Sequence, residues 1–352
     1  MRSRKSGLLI LFVLFIAAAG FAVYRWSNNA FIAAGPTTEV ARVEVTPGTS
    51  VRGVLKLLGD RGVIADPRAI AFYLRTHNLH PKIKAGTYEF PAGASAAKAF
   101  EMMEQGIVVL EQLTVVEGST FADLRKALEK HPAVTKTLQG KSDAQVMAAI
   151  GHANEFPEGR FFPDTYRFAA RTSDTDILKL AYDSMARTLA QAWAQHREGL
   201  PFSTPYEALT LASIVEKETG LAAERPRIAG VFVTRLRIGM RLQSDPTVIY
   251  GIGPKYDGDI RTKDLSTDTP YNTYTRGGLT PTPIALPGKE SIMAVMQPDE
   301  TGDIFFVATG DGTGAHHFSK TLEEHNEAVK RFLARLRKQS QATKPPSAAP
   351  RK

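Results

Sequence analysis

An uncharged run from Gly7 to Val23, preceded by Arg2, Arg4 and Lys5 and followed by Tyr24, Arg25 and Trp26, limits what this chain can become. A run of that length is just able to cross a bilayer, and the aromatic and basic residues at its far end suit a membrane interface. Ala17-Ala18-Ala19 also resembles the small-residue processing site of a secretory signal peptide, which is the competing reading. We read residues 7–26 as a single-pass transmembrane anchor. On either reading, the basic residues at the start hold residues 1–6 in the cytoplasm and send the remainder across the inner membrane. The function is therefore sought on the periplasmic, extracytoplasmic side.

The 352 residues are enough for two domains, each with its own core. The net charge of +8 favours an anionic surrounding, whether lipid headgroups, nucleic acid or an anionic polymer. No dense Lys/Arg block, zinc-finger spacing or RRM-like aromatic motif appears, so nucleic acid is not an expected partner. The chain has no cysteine, which excludes a disulfide framework, a thiolate nucleophile and Cys-type zinc sites.

Residues 27–40 read as a linker. A loose repeat follows over 41–120: a β-rich run, a glycine turn, a Ser or Thr N-cap and an apolar-periodic helix. It recurs as Val43–Val45 into VRGVLKLLGDRG, Tyr88–Phe90 into AAKAFEMMEQG, and Leu113–Val116 into FADLRKALEKH. Such βα units pack helices against a short sheet and resemble the LysM-like modules that bind cell-wall glycans; a spacer without a ligand is the alternative. Residues 121–338 read as a mixed helical and β domain, and 339–352 as a disordered, Pro- and Lys-rich tail. The expected fold class is therefore α+β: an anchor helix, small LysM-like βα modules, then the mixed helical and β domain. Within that domain, Pro157 to Tyr166 form a rigid loop whose Phe161 and Phe162 are either buried or stacked on sugar rings.

The most regular helix runs from Thr204 to about Thr219, with Gly220 at the expected C′ position. It ends in two acids, Glu216 and Glu218. At about 100° per residue they point in different directions. Leu211, Ile214 and Val215 lie seven, four and three positions before Glu218, which sets that carboxyl near an apolar stripe, where desolvation and the helix C-terminus both raise its pKa. The plainer reading has both glutamates as solvated helix-end charges paired with Lys217, Arg225 or Arg227. Downstream, RLQSDPTV and TPYNTY place amide, hydroxyl, carboxylate and phenol groups in long loops suited to the hydroxyl and N-acetyl groups of a sugar. There is no G-x-S-x-G elbow, P-loop or H-E-x-x-H. His316, His317 and His325 lack a clear carboxylate partner pattern, so neither a metal nor a cofactor is expected.

LASIVEKETG, AAERPRIAGVFVTRLRIGMRLQSDPTVIYG, TPYNTYTRGGLTPTPIALPG and GAHHFSKTLEEHN, with the earlier KAGTYEF and FFPDTY segments, stand in one order along the chain. Together they resemble the MltG (YceG-like) endolytic murein transglycosylases, from the anchor to about residue 335. The resemblance implies internal cleavage of peptidoglycan glycan strands between N-acetylmuramic acid and N-acetylglucosamine, leaving 1,6-anhydromuramic ends, in cell-wall assembly or strand termination. One carboxyl then serves as acid and afterwards as base, and the family's catalytic glutamate falls on Glu218. Gln243, Asp245, Tyr271, Asn272 and Tyr274 match cleft positions and are expected to bind or orient substrate. Ser244 and Leu211 depart conservatively from the family pattern. Peptidoglycan synthases are candidate partners. Two alternatives stand beside this reading: a non-catalytic, membrane-anchored peptidoglycan-binding scaffold, and a hydrolase that uses Glu216 or Glu224 as a second carboxylate.

Overall fold

The computed structural model describes residues 2–342; Met1 and residues 343–352 of the tail lie outside the described residues. The chain divides into two compact units, residues 2–112 with 167–172 and residues 113–166 with 173–342. The class is mixed α+β, as expected.

Unit 1 begins with helix α1 (Arg2–Ile32), whose segment Gly7–Ile32 is long and apolar enough to cross a membrane. The helix takes in residues 2–6 and continues past residue 26 into the expected linker. It does so because Ser27 is fully buried and Ala30 and Phe31 pack on the unit 1 core. Strand β1 (Ala41–Val45) is followed by α2 (Val51–Asp60), α3 (Pro67–Thr76), β2 (Gly86–Phe90) and α4 (Ala96–Gln105). β1 and β2 pair antiparallel with Val43 opposite Tyr88, and Val43, Val45, Tyr88 and Phe90 are buried. The expected caps are in place: Ser50 accepts from Gly53 N at 3.2 Å and Ser95 from Lys98 N at 3.2 Å.

The three-fold βα pattern does not become one sheet. Only β1 and β2 share a ladder, with α2 and α3 between them. The third run, β3 (Leu110–Thr114), pairs instead with β4 (Thr165–Ala169). The three runs thus do not fold into three equivalent βα units.

Unit 2 contains α5 (Phe121–Lys130), α6 (Asp143–Ala149), α7 (Asp174–Trp193), α8 (Pro205–Glu218), α9 (Arg225–Arg237), α10 (Asp245–Ile252), α11 (Thr262–Ser266), α12 (Lys289–Met296), the hairpin β5 (Phe305–Ala308) with β6 (His316–Ser319), and α13 (Leu322–Ala342). The helix α13 absorbs residues 339–342 of the expected tail. At the centre, α8 packs against α7, α9, α10 and α12. Phe161 is fully buried and stacks on Phe121 at 4.9 Å between centroids, so that aromatic serves the core and not a sugar.

Helix α9 lies so close to the chain after α12 that a Cβ at Gly230 would meet the carbonyl oxygen of Asp299 at 2.0 Å. Glycine inside a helix ordinarily costs about 0.5–1 kcal/mol relative to alanine. Here we predict the reverse: Gly230→Ala destabilises the protein by about 2 kcal/mol or more, read as a lowered urea midpoint, because backbone must move to admit the methyl group. An unchanged or raised midpoint would contradict this packing.

Candidate active site

Helix α8 is fastened at its start by a capping box between Thr204 and Glu207, with Pro205 in the first turn. Every residue from Ala208 to Val215 is buried, so the helix passes through the core and does not lie along its surface. It stops because Thr219 is extended (φ −142°, ψ 136°) and its hydroxyl accepts from Leu221 N at 3.0 Å. Gly220 does not take the left-handed conformation expected of it.

The two acids at this terminus differ, though not for the expected reason. Ala212 and Ser213, four and three positions before Glu216, are as deeply buried as the Leu211, Ile214 and Val215 that lie before Glu218. Glu216 is itself enclosed, its side chain 5% exposed. It is neutralised there: Oε1 accepts from Arg225 at 3.2 Å, and Oε2 accepts from Gly288 N at 3.0 Å and Ser291 Oγ at 2.7 Å. Both oxygens are engaged, so Glu216 has nothing to offer a reaction. Glu224 is similarly tied to His316, through its backbone N–H at 2.9 Å and Nδ1 at 2.7 Å. These contacts remove both acids as a second hydrolytic carboxylate.

Among the described residues no cation is in contact with Glu218. Its Oε1 accepts a hydrogen bond from Ser244 Oγ, and among the described residues no donor or acceptor engages Oε2. The residue is partly open to solvent, as a group that must reach a substrate has to be. Desolvation by the surrounding protein nevertheless pushes its pKa up to about 7, helped by Asp245 and opposed by Ser244 and by Arg235. Arg235 is buried, and its guanidinium donates to the carbonyls of Ile304 at 2.7 Å and Leu242 at 2.5 Å. It therefore acts on Glu218 through the field alone. A carboxyl in this state holds a proton near neutral pH and can release it when a basic oxygen approaches.

Ser244 is the residue the sequence reading passed over as a conservative change. It occupies the N-cap position of α10, yet its hydroxyl makes no cap bond and turns to Glu218 instead. The signal available in the sequence was a serine before Asp-Pro, a helix start whose hydroxyl then has a second possible use. Thr273 holds it there: its hydroxyl accepts from Ser244 N at 3.0 Å and lies 2.8 Å from Thr247 Oγ1, while its carbonyl accepts from Gln243 N at 3.2 Å.

The expected substrate-binding residues divide into two groups. Gln243 is exposed at a positive φ of 50°, and Asp245 is exposed beside Glu218's partner, accepting from Tyr274 OH at 2.6 Å. These three residues gather at the Glu218 end of the loops. Asn272 does not face a ligand. It is buried, its amide donates to the carbonyls of Asp264 (3.1 Å), Leu265 (3.1 Å) and Thr267 (2.7 Å), and its Oδ1 accepts from Tyr274 N at 2.9 Å. All its capacity is used within the protein, so its part is to fasten the 264–274 segment. Tyr271 is likewise internal, its hydroxyl 2.9 Å from Thr282 Oγ1 and its ring edge-on to Tyr250 at 4.9 Å.

A second acid was missed altogether. Glu158 is buried, accepts from Phe121 N at 2.9 Å and Tyr250 OH at 3.1 Å, and burial pushes its pKa up to about 7. An acid between Pro157 and Gly159, amid aromatics, was its only trace in the sequence. A groove of about 650 Å³ in unit 2, lined by Asp303, His317, Lys320, Glu324 and Arg331 among others, contains none of the residues around Glu218.

These geometries set three expectations. Removing the hydrogen bond in Ser244→Ala raises the pKa of Glu218 further, and Asp245→Asn lowers it, so the high-pH limb of any Glu218-dependent rate shifts in opposite directions in the two variants. Equal shifts, or none, would exclude Glu218 as the titrating group. Glu158 binds its proton more tightly folded than unfolded, so stability falls as pH rises from about 4.5 to about 7. Glu158→Gln removes that loss, gaining on wild type by up to about 3 kcal/mol between pH 5 and pH 8 in paired urea titrations; parallel pH dependences would contradict it.

A model of the YceG-like family matches residues 43–331. The endolytic murein transglycosylase of Bacillus subtilis (strain 168) is 31% identical over 317 residues, covering 83% of this chain and 84% of its own length. That of Streptococcus pneumoniae serotype 2 is 25% identical over 354 residues, covering 91% of this chain but only 63% of its own length. A crystal structure of a yceG-like protein from Listeria monocytogenes shares 29% identity at a TM-score of 0.49, covering 83% of this chain and 99% of the other.

Proposed function

The chain belongs to the YceG-like family, and from that premise we propose that it is an endolytic murein transglycosylase with Glu218 as its acid and base. The observation that carries the assignment is the state of that carboxyl: partly open, desolvated, hydrogen-bonded on Oε1 alone, with a pKa near 7. Protonated, it donates to the glycosidic oxygen between N-acetylmuramic acid and N-acetylglucosamine as the C1–O bond breaks. The carboxylate left behind takes the proton of the muramic C6 hydroxyl, whose oxygen bonds to C1. The result is a 1,6-anhydro end and no consumption of water. A single acid cycling between two states suffices, in contrast to the carboxylate pair of most glycosidases. The engagement of Glu216 with Arg225 and of Glu224 with His316 supports that reading over hydrolysis.

Gln243, Asp245 and Tyr274 are proposed to contact the sugar, with Ser244 orienting Glu218. Asn272 and Tyr271 act by holding the loops. The antiparallel β1–β2 pair enclosing two helices supports a single LysM-like glycan-binding unit over 41–90. For α1 we favour a retained anchor with both units outside the inner membrane, since the helix runs unbroken through Ala17–Ala19 into residues packed on the unit 1 core. Peptidoglycan strands are the substrate, and peptidoglycan synthases are the proposed protein partners.

The test uses purified murein sacculi and mass spectrometry of the released ends. Wild type is expected to yield anhydromuramic ends, and Glu218→Gln to lower their release by about 10³-fold or more, the size of effect general acid–base catalysis supplies. Retained release by Glu218→Gln sinks the assignment. Reducing muramic ends would indicate a hydrolase, and no release by wild type would leave the scaffold reading in its place. The rate should also decline as pH rises through about 7, where the proton of Glu218 is lost.

A further inference from the structure

The rigid junction between α1 and unit 1 determines which part of that unit meets the lipid. From Gly7 to Tyr24 the helix rises about 26 Å, close to the ~30 Å of a hydrocarbon core, which sets Tyr24, Arg25 and Trp26 in the interfacial layer. Tyr24 stacks on His77 at 6.1 Å between ring centroids, Phe31 on Tyr73 at 4.2 Å, and Tyr73 on His77 at 4.0 Å. The later residue of α1 thus meets the earlier residue of α3, so α3 runs back toward the membrane and its C-terminal end arrives at the level of Tyr24.

What that end presents is specific in character. Arg75, His77, His80 and Lys82 are exposed, and Leu79 is 43% exposed at the turn begun by Asn78, whose φ is 52°. Among the described residues the side chains of Arg75, Lys82 and Arg25 form no ion pair. Elsewhere in unit 1 surface lysines do find acids, as Lys56 does with Asp60 at 2.7 Å and Lys98 with Glu101 at 3.0 Å. An apolar side chain flanked in sequence by an unpaired arginine and lysine, at the height where headgroups lie, is suited to a negatively charged lipid surface.

We propose that the turn after α3, through Arg75, His80 and Lys82 around an inserted Leu79, rests on anionic phospholipid headgroups of the same bilayer that holds α1, on the leaflet away from the N-terminus. The proposal rests on the anchor reading of α1 and extends it: the span fixes depth, and the turn fixes the tilt of unit 1 against the surface.

Because the chain has no cysteine, single labels are placed cleanly. Full-length protein carrying a fluorophore at Phe15→Cys, Leu79→Cys or Arg68→Cys is reconstituted into vesicles of phosphatidylethanolamine and phosphatidylglycerol, with nitroxides on acyl chains or headgroups. Arg68 lies at the opposite end of α3 and serves as the distant control. The expected pattern is quenching of the Phe15 position by acyl-chain nitroxides, of the Leu79 position by headgroup nitroxides, and of the Arg68 position by neither. Adding Arg75→Glu and Lys82→Glu, both exposed, should roughly halve the quenching at 79. If 15 is quenched while 79 behaves like 68, the headgroup contact is overturned and the anchor stands. If 15 is not quenched, both are overturned. Equal quenching at 79 in pure phosphatidylcholine would overturn the anionic assignment.

Discussion

A carboxyl group keeps its proton at neutral pH only where water is scarce and no cation is in contact, and a helix driven through the core can supply such a place at its exit. α8 does so. Its residues 208–215 are enclosed by α7, α9, α10 and α12, so the terminal turn emerges from the core with Glu218 only partly open to solvent. The C-terminal carbonyls there add negative potential, which disfavours ionisation of an acid at that position. The rest of the site is arranged about this terminus: Ser244 limits the shift by one hydrogen bond, and Arg235 by its field, while Asp245 adds to it. The pKa of Glu218 is the balance of these effects.

Glu216 shows how different an outcome the same terminus permits. Two positions earlier, an enclosed carboxyl meets Arg225, itself buried and also 3.0 Å from Glu290. A buried ion pair of this kind adds little net stability, since desolvation offsets the attraction, but removing one partner is costly. Its role here is to fix α8 against α9 and α12 while leaving only one of the two acids chemically free. Asn272 performs an analogous service for the loops: four hydrogen bonds from one side chain hold a segment that has no sheet to order it.

Much of this was legible before any coordinates. N-cap serines and threonines marked helix starts, since a side-chain acceptor three residues before a free N–H is a local matter. The acid at 218 was singled out by its neighbours at three, four and seven residues, a pattern that does not in the end separate it from Glu216, whose own neighbours are as buried. What could not be read was anything depending on partners distant in the chain. Arg225 was one of three cations the sequence offered to Glu216, but the acid looked solvated because Gly288 and Ser291 join Arg225 around it only in the fold. Asn272 looked like a sugar-binding amide because its acceptors are main-chain carbonyls, which every sequence has everywhere. Ser244 looked interchangeable because a cap hydroxyl and a hydroxyl turned to Glu218 are the same residue in the same place. The βα repeat was real as a local pattern, but which strands pair is decided by long-range packing.

If α1 is retained in the bilayer, its continuity has a hydrodynamic consequence. The helix passes into the unit 1 core with Ser27 buried and Phe31 stacked on Tyr73, without the glycine or proline joint that would give a swivel. A domain held in this way cannot tumble as a soluble one does. Its rotation reduces to spin about the membrane normal and its translation to drift in a plane, both governed by lipid viscosity. Whatever unit 1 meets, it meets in a two-dimensional search.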